Sequence, residues 1–175
     1  SNTYAPLERL KSLYGEALEH PDVVGIVIGT RPDCVDEEKL DYLADLAGGK
    51  VLKGWKRALA GEGERTAPIV IVEYGIESCY DRTLERINRG HDFATAQRAV
   101  RMTAERGLDV GVHFILGLPG ETRQMMLDSC AMINALPIRS VKFHQLQIVK
   151  GTRMEKEYAE CPEDFERFAL EEYLD

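Results

Sequence analysis

Apolar and polar residues alternate along the chain in a way that predicts four strands separated by helices. Residues 23–28 and 110–116 are almost continuously apolar, which is typical of parallel strands that are buried on both faces. Residues 68–74 are rich in β-branched side chains and predict the strongest strand. Residues 140–149 alternate between apolar and polar positions, so we expect a strand with at least one polar face.

Helical periodicity fills the stretches around these strands. An apolar stripe recurs at helical spacing over residues 4–20. Asp36, Asp81 and Asp92 are each placed to cap a helix that follows. Another helix follows the Gly/Pro turn at residues 117–120. Because strands that alternate with helices build parallel sheets, we expect an α/β fold with a mainly parallel sheet.

Two stretches depart from this alternation within what we expect to be a single domain over residues 1–175. Residues 50–66 contain five basic side chains and indicate an inserted basic loop, partly helical over residues 55–60. Most loops of this length are surface excursions, and the functional alternative is a basic lid or a contact for a polyanion. Residues 151–175 form a charged tail, in which we expect a short helix and a helical end over residues 165–175.

Composition adds limits on partners and compartment. The 175 residues are 44% hydrophobic and 30% charged, which is typical of a soluble globular domain. The formal net charge of -8 argues against a large nucleic-acid contact surface. No apolar run approaches the roughly 20 residues of a membrane span, so we expect a cytoplasmic protein without a membrane partner.

The four cysteines are dispersed through the sequence. They are Cys34, Cys79, Cys130 and Cys161. Since neither CxxC nor CxxxCxxC spacing occurs, the sequence contains no zinc knuckle and no cluster-binding loop. We expect reduced, mostly buried thiols and no metal-ligating residues.

Polar side chains lie near the expected carboxyl ends of the strands, where α/β sheets bind ligands. The candidates are Thr30, Arg31, Asp33, Glu73, Glu77, Ser78, His113, Lys142, His144 and Gln147. Any one of them is as easily a capping, salt-bridged or buried structural residue. Their convergence at one edge favours a ligand site, but it names no reaction. No nucleophile-elbow, phosphate-loop or metalloprotease motif is present, so we predict no catalytic residue.

Seven short motifs occur in a characteristic order along nearly the whole chain. They are NTYAP at 2–6, IGTRPD at 28–33, EYGIES at 73–78, DRTL at 81–84, INRGH at 87–91, HFILGLPGET at 113–122 and KGT at 150–152. In this combination they resemble the radical S-adenosylmethionine (radical SAM) superfamily. Within it, they are similar to bacterial uncharacterised Fe–S oxidoreductases that are related to the radical subunit of Elongator.

The resemblance implies a partial (β/α) barrel. In the family, a CxxxCxxC loop holds a [4Fe–4S] cluster, and SAM is cleaved reductively to a 5′-deoxyadenosyl radical. The sequence lacks that loop, the first strand and the glycine-rich SAM motif of the second strand. It therefore resembles only the later βα units. This implies a SAM-binding fragment that leaves the cluster to a full-length parent and is inactive alone.

The resemblance to the related anaerobic coproporphyrinogen oxidase also implies which residues would bind SAM. Glu77 and His113 stand where the family has side chains that contact the ribose, and Arg89 stands where an arginine meets the methionyl carboxylate. The oxidase has glutamine and aspartate where this chain has Glu77 and His113. Arg31 and Ser78 lie at strand ends within matching motifs, and we add them to the expected cofactor-binding residues.

Other functions stay open at this point. A non-enzymatic α/β binding or scaffold domain would keep the fold without the chemistry. RNA binding, by analogy with tRNA-modifying relatives, would depend on residues 50–66 and is opposed by the net charge. The sequence names no substrate. An exposed strand edge predicts that the chain self-associates or is covered by residues 50–66.

Overall fold

A computed structural model describes residues 2–52, 54–59 and 63–169 of the protein. The helices are α1 (Leu7–Glu19), α2 (Glu37–Ala47), α3 (Asp81–Arg86), α4 (Phe93–Glu105), α5 (Arg123–Asn134) and α6 (Arg153–Glu160). The strands are β1 (Gly25–Thr30), β2 (Arg57–Leu59), β3 (Gly63–Arg65), β4 (Ile69–Glu77), β5 (Asp109–Leu116) and β6 (Ser140–Gln145). Short 3₁₀ helices lie at Asn2–Tyr4, Pro32–Cys34 and Pro162–Asp164.

Four strands form one parallel sheet in the order β1-β4-β5-β6, which confirms the predicted α/β class. Gly75 on β4 lies beside His113 on β5, and His113 lies beside Lys142 on β6. Neighbouring residues of paired strands share a face of the sheet, so these three positions lie on the same side. β2 and β3 form a separate antiparallel hairpin.

One face of the sheet is packed against helices. Along β4 every second residue is buried, and Val72, Tyr74 and Ile76 are each 0% exposed. β4 contacts both α2 and α4, and the Tyr74 hydroxyl is hydrogen-bonded to that of Thr103 at 2.7 Å. Burial of this apolar face is the main favourable contribution to folding. The opposite side, here called the open face, carries Val27, Glu73, Gly75, His113, Lys142 and His144.

The expectation that the first strand is buried on both faces is wrong. Ile28 on β1 is 1% exposed, whereas its neighbour Val27 is 56% exposed. Side chains alternate along a strand, so Val27 belongs to the open face and Ile28 to the packed one. An apolar run therefore overestimates burial wherever only one face of the sheet is covered.

Residues 57–59 and 63–65 of the inserted segment pair as a hairpin, so the helix expected over residues 55–60 is wrong over residues 55–59, and residue 60 lies outside the described residues. β2 and β3 pair through their backbones, and Nζ of Lys56 lies 2.9 Å from a carboxylate oxygen of Glu64. Trp55 is 7% exposed, and its indole Nε1 donates to the main-chain oxygen of Leu18 at 3.1 Å. Pairing between these two consecutive strands thus overrides the helical pattern, and Trp55 links the hairpin to α1.

Two element boundaries also differ from expectation. Asp81 is the first residue of α3 rather than its cap, and its Oδ1 accepts a hydrogen bond from the main-chain nitrogen of Phe93 at 2.7 Å. The carboxylate therefore joins α3 to the start of α4. β6 ends at Gln145, four residues before the predicted end of that strand. The main-chain nitrogen of Leu146 still donates to Leu116 at 2.9 Å, after which no strand continues.

The charged tail contains the expected short helix, α6, but residues 165–169 are not helical. The Phe165 ring packs edge-on against Tyr158, with ring centroids 5.2 Å apart. Arg86 on α3 lies 2.5 Å from Glu157 and 2.6 Å from Asp164, which ties the tail to the sheet domain. Residues 170–175 of the predicted helical end lie outside the described residues.

A buried hydrogen bond fastens the end of β4 to the loop before α5. The Ser78 hydroxyl donates to Glu121 and accepts from the main-chain nitrogen of Tyr80 at 3.0 Å. Ser78 is 2% exposed and Glu121 is 6% exposed. Burial raises the pKa of Glu121, and the hydrogen bond from Ser78 opposes that rise. This contact fixes the chain immediately after the carboxyl end of β4.

The expected caps at Asp36 and Asp92 are confirmed. Oδ1 of Asp36 accepts from the main-chain nitrogen of Lys39 at 2.9 Å, and Oδ1 of Asp92 accepts from that of Thr95 at 2.7 Å. Each carboxylate satisfies a backbone donor that has no partner within its own helix.

Removal of the α2 cap gives a direct test of this fold. Asp36→Ala should lower the free energy of unfolding by about 1 kcal/mol, because a main-chain donor at the start of α2 loses its acceptor. Asp36→Asn keeps an acceptor and should cost clearly less. Urea denaturation measures both values, and equal losses in the two variants would contradict the cap.

Glu121 predicts a pH dependence of stability. Burial raises the pKa of its carboxyl group above the usual 4.5, so the folded protein holds this proton more tightly than the unfolded chain. The stabilisation of the folded state by this bound proton is present at low pH and is lost as the pH rises through the folded-state pKa of Glu121. Relative to Glu121→Gln, the protein should therefore lose unfolding free energy above about pH 4.5. A difference that stays constant up to neutral pH would contradict this.

Candidate functional site

The backbone bends sharply at Glu77, the last residue of β4. Its φ is 73°, in the left-handed region that residues with a side chain rarely adopt. The pairing with β5 shifts at the same point, since Gly75 lies beside His113 but Glu77 lies beside Phe114. Strained backbone of this kind persists only where its surroundings fix it, and it clusters at ligand sites.

Arg89, in the loop after α3, reaches back to this bend. Its Nη2 lies 3.0 Å from Oε1 of Glu77, and its Nε donates to the carbonyl oxygen of Gly75 at 3.2 Å. The two side chains are largely enclosed, with Arg89 23% and Glu77 15% exposed. A guanidinium has five N–H donors, and no residue in the described part of the chain accepts one from Nη1. Arg89 can therefore bind a further acceptor while it holds Glu77.

Gly75 provides the space in which this ion pair lies. A Cβ atom at Gly75 would be 2.4 Å from Nη2 of Arg89 and 2.4 Å from Oε1 of Glu77. Any side chain at this position would push both charged groups away. Glycine here is thus a requirement of the site rather than of the strand.

Burial raises the pKa of Glu77, and the neighbouring basic side chains oppose that rise. Arg89 opposes it most, and His113 and His144 contribute in the same direction. The carboxylate therefore depends on Arg89 for its charge. As a carboxylate, it is a strong acceptor for hydroxyl donors.

A second ion pair, between Arg31 and Asp33, lies next to the first. Nε of Arg31 donates to Oδ1 of Asp33 at 2.9 Å, and this contact holds the pKa of Asp33 below its usual value. A Cβ atom at Gly90 would be 3.3 Å from Nη2 of Arg31. The Arg31 guanidinium therefore lies against the loop that carries Arg89.

The hydrogen-bond partner of His113 is Glu73, not Glu77. Nε2 of His113 lies 3.0 Å from Oε2 of Glu73. Nζ of Lys142 donates to both carboxylate oxygens of Glu73 at 2.9 Å. The bond from Lys142 keeps the pKa of Glu73 low, and that from His113 acts in the same direction. The sequence predicts Glu73 only as a strand-end candidate, and its spacing from Gly75 puts both residues on one face of β4.

The structure brings most of the expected cofactor-binding residues together. Arg31, Glu77 and Arg89 lie at the carboxyl ends of β1 and β4, and His113 lies on the open face beside Gly75. Ser78 differs from them, because its side chain is 2% exposed and its hydroxyl donates to Glu121. Its hydrogen bonds with Glu121 and Tyr80 stabilise the backbone next to the bend at Glu77.

The cysteines do not form a metal centre. All four are free thiols, of which Cys34 and Cys79 are buried. Within residues 2–52, 54–59 and 63–169, no group of three His, Cys, Asp or Glu side chains could hold a metal ion. The thiols of the described residues therefore do not fit the [4Fe–4S] cluster that the resemblance implies. The helices of the same residues include none that is long and apolar enough to cross a membrane.

Comparison with known proteins gives this site a family context. A sequence model of the radical SAM superfamily matches residues 57–133. The chain is 38% identical over 158 residues to an uncharacterised protein of Methanocaldococcus jannaschii, covering 90% of this chain and 44% of that protein. It is 36% identical over 156 residues to the protein YhcC of Escherichia coli, covering 89% of this chain and 45% of YhcC. The chain thus spans less than half the length of these relatives.

More distant matches extend the same picture. A tRNA uridine(34) acetyltransferase of Methanocaldococcus infernus is 23% identical over 135 residues, or 75% of this chain and 21% of that protein. Among solved structures, an Elp3 of the same archaeon matches 98% of this chain and 40% of its own, with a TM-score of 0.68 and 20% identity. Coproporphyrinogen III oxidase of E. coli, a radical SAM enzyme, matches 98% of this chain and 35% of its own chain, with a TM-score of 0.63 and 14% identity.

The two structural matches concern the fold, and they confirm the expected architecture of the radical SAM barrel enzymes. The sequence model covers the segment from β2 to α5, which contains Glu77, Arg89 and His113. Residues 57–133 thus match the radical SAM superfamily in sequence, and the chain shares the fold of radical SAM enzymes.

Proposed function

We propose that the chain is the SAM-binding portion of a radical SAM iron–sulfur enzyme. The observation that carries the proposal is the ion pair between Glu77 and Arg89, held in the space above Gly75 at the carboxyl end of β4. Ligands of α/β sheets bind at this end of the strands. When bound, SAM would supply a 5′-deoxyadenosyl radical to such an enzyme, through cleavage of its C5′–S bond by one electron from a reduced [4Fe–4S] cluster with release of methionine.

The residues present fit the polar groups of SAM. The methionyl carboxylate needs a cation, and Arg89 has N–H donors at Nη1 that no described residue accepts. The ribose hydroxyls need acceptors, and Glu77 presents a carboxylate 15% exposed beside that cation. We propose that His113 and Arg31 complete the contacts on either side, and that Ser78 holds the backbone of Glu77 in place.

The thiols of the described residues do not fit the second cofactor of the family, the [4Fe–4S] cluster. We propose that its ligands belong to a longer parent protein, in keeping with relatives more than twice as long as the matched segment. The 175 residues alone should then be unable to cleave SAM. The free thiols support a reducing compartment, and we propose a cytoplasmic location.

RNA as the substrate has one supporting observation, the similarity to a tRNA uridine(34) acetyltransferase. The basic segment at residues 50–66 gives weaker support for RNA binding than its composition suggests. Lys50 lies 2.7 Å from Asp45, and Lys56 lies 2.9 Å from Glu64, so both ammonium groups are already paired. We therefore do not assign RNA binding to that segment.

The activity test uses the full-length gene product that contains this sequence. After anaerobic reconstitution with iron and sulfide, it should show the absorbance of a [4Fe–4S] cluster and release 5′-deoxyadenosine from SAM when reduced. A well-folded, iron-loaded protein that does neither would overturn the proposal in favour of a non-catalytic binding or scaffold domain.

Arg89 tests the site within the same protein. Arg89→Ala should weaken SAM binding at least tenfold, because the carboxylate of SAM loses its cation; tenfold corresponds to about 1.4 kcal/mol. Isothermal titration calorimetry measures the change. Arg98→Ala, at an exposed position on α4 where the side chain bonds only within its own helix, is the control and should bind SAM normally. Equal affinities of the Arg89→Ala variant and the unaltered protein would remove Arg89 from the site.

A further inference from the structure

Four ionisable side chains from three neighbouring strands meet on the open face, beside the proposed SAM site. They are Glu73 on β4, His113 on β5, and Lys142 and His144 on β6. The rings of His113 and His144 lie 5.2 Å apart between centroids. We call these four residues the Glu73 cluster. Three of them have no part in the proposed contacts with SAM.

Glu73 is the anchor of the cluster. Its two carboxylate oxygens accept from Lys142 at 2.9 Å each, and Oε2 also bonds to His113 at 3.0 Å. Lys142 lowers the pKa of Glu73, so the carboxylate stays ionised and keeps both partners. A Cβ atom at Gly111 would be 3.0 Å from Cγ of Glu73, so the glycine beside it leaves room for this side chain.

The cluster has its carboxylate inside and its nitrogen-bearing groups outside. The side chain of Glu73 is 13% exposed, that of His113 is 26% exposed and that of Lys142 is 53% exposed. A molecule that approaches from the open face therefore meets the ammonium and imidazole groups before it meets the carboxylate. Lys142 has three N–H donors, and no described residue other than Glu73 accepts from it.

We propose that the Glu73 cluster binds an acidic group, a carboxylate or a phosphate, on the molecule that the enzyme acts upon. Lys142 donates to this group, His144 and His113 lie beside it, and Glu73 holds Lys142 in position. The assignment of the acidic group to a substrate depends on the proposed function, whereas the anion site itself does not. A charge-assisted hydrogen bond of this kind is roughly twice as strong as a neutral one.

The surrounding charges favour an anion at this place in an otherwise acidic protein. The net charge of the whole chain is -8, yet the carboxylate of the cluster, Glu73, is paired with Lys142, and Glu77 at the end of β4 is paired with Arg89. Half-exposed ion pairs contribute little to stability, so stability alone gives no strong reason for a lysine on the open face.

The test follows histidine ring resonances of the 175-residue chain by NMR during titration with inorganic phosphate, and separately with acetate. Sodium chloride keeps the ionic strength constant, because screening alone would shift exposed charges. The resonances of His113 and His144 should move saturably with at least one anion. In Lys142→Met the apparent affinity should fall at least tenfold, whereas Lys142→Arg should retain most of it. Lys56→Met, on the hairpin, is the matched control and should behave as the unaltered chain.

Two results would overturn the proposal. One is the absence of a saturable shift with either anion in a folded chain, and the other is an unchanged titration in Lys142→Met. Its failure is distinct from failure of the proposed function. In the full-length gene product, Lys142→Met should bind SAM within about threefold of the unaltered protein. In the 175-residue chain, Arg89→Ala should leave the anion titration unchanged.

Discussion

In the part of the chain that the structure describes, helices cover only one face of the parallel sheet, and this constraint decides where the charged side chains of its strands can lie. Val72, Tyr74 and Ile76 enter the packed face and are fully buried. Because side chains alternate along a strand, Glu73 must then belong to the other side, and past the register shift the carboxylate of Glu77 lies beside Gly75 on that same side. The alternation that buries every second side chain of β4 in the core therefore places the polar side chains of β4 on the open face and at the carboxyl end of the strand.

On that side, each enclosed carboxylate is matched with a cation from a different element. Glu77 pairs with Arg89 from the loop after α3, and Glu73 pairs with Lys142 from β6. Enclosed unpaired carboxylates would be costly, so these pairs limit the positions that the loop and the edge strand can take. The bend at Glu77, with its φ of 73°, is held in turn by the buried contact of Ser78 with Glu121. The proposed SAM site and the proposed anion site share this framework, and His113 lies between them.

The order of elements and the parallel sheet could be predicted from the sequence because hydrophobic periodicity reports burial directly. Caps such as Asp36 could be predicted because they depend only on local geometry. The hairpin of β2 and β3 could not, since pairing between its two strands outweighs the local pattern around Trp55. Burial of Val27 was overestimated for a related reason, because an apolar run does not tell whether one face or both are covered. The resemblance predicts Glu77, Arg89 and His113 as cofactor-binding residues, but the partner of His113 depends on strand register, which the sequence leaves open.

The central claim is that SAM binds where Glu77, Arg89 and Gly75 meet at the end of β4. Hydrogen–deuterium exchange of the cluster-loaded, full-length gene product, with and without SAM, measures this directly because bound ligand slows the opening of the backbone it contacts. The account predicts protection by SAM at residues 75–78 and 89–91 and at the carboxyl end of β5. SAM binding that leaves these segments unprotected and protects only segments elsewhere would contradict it.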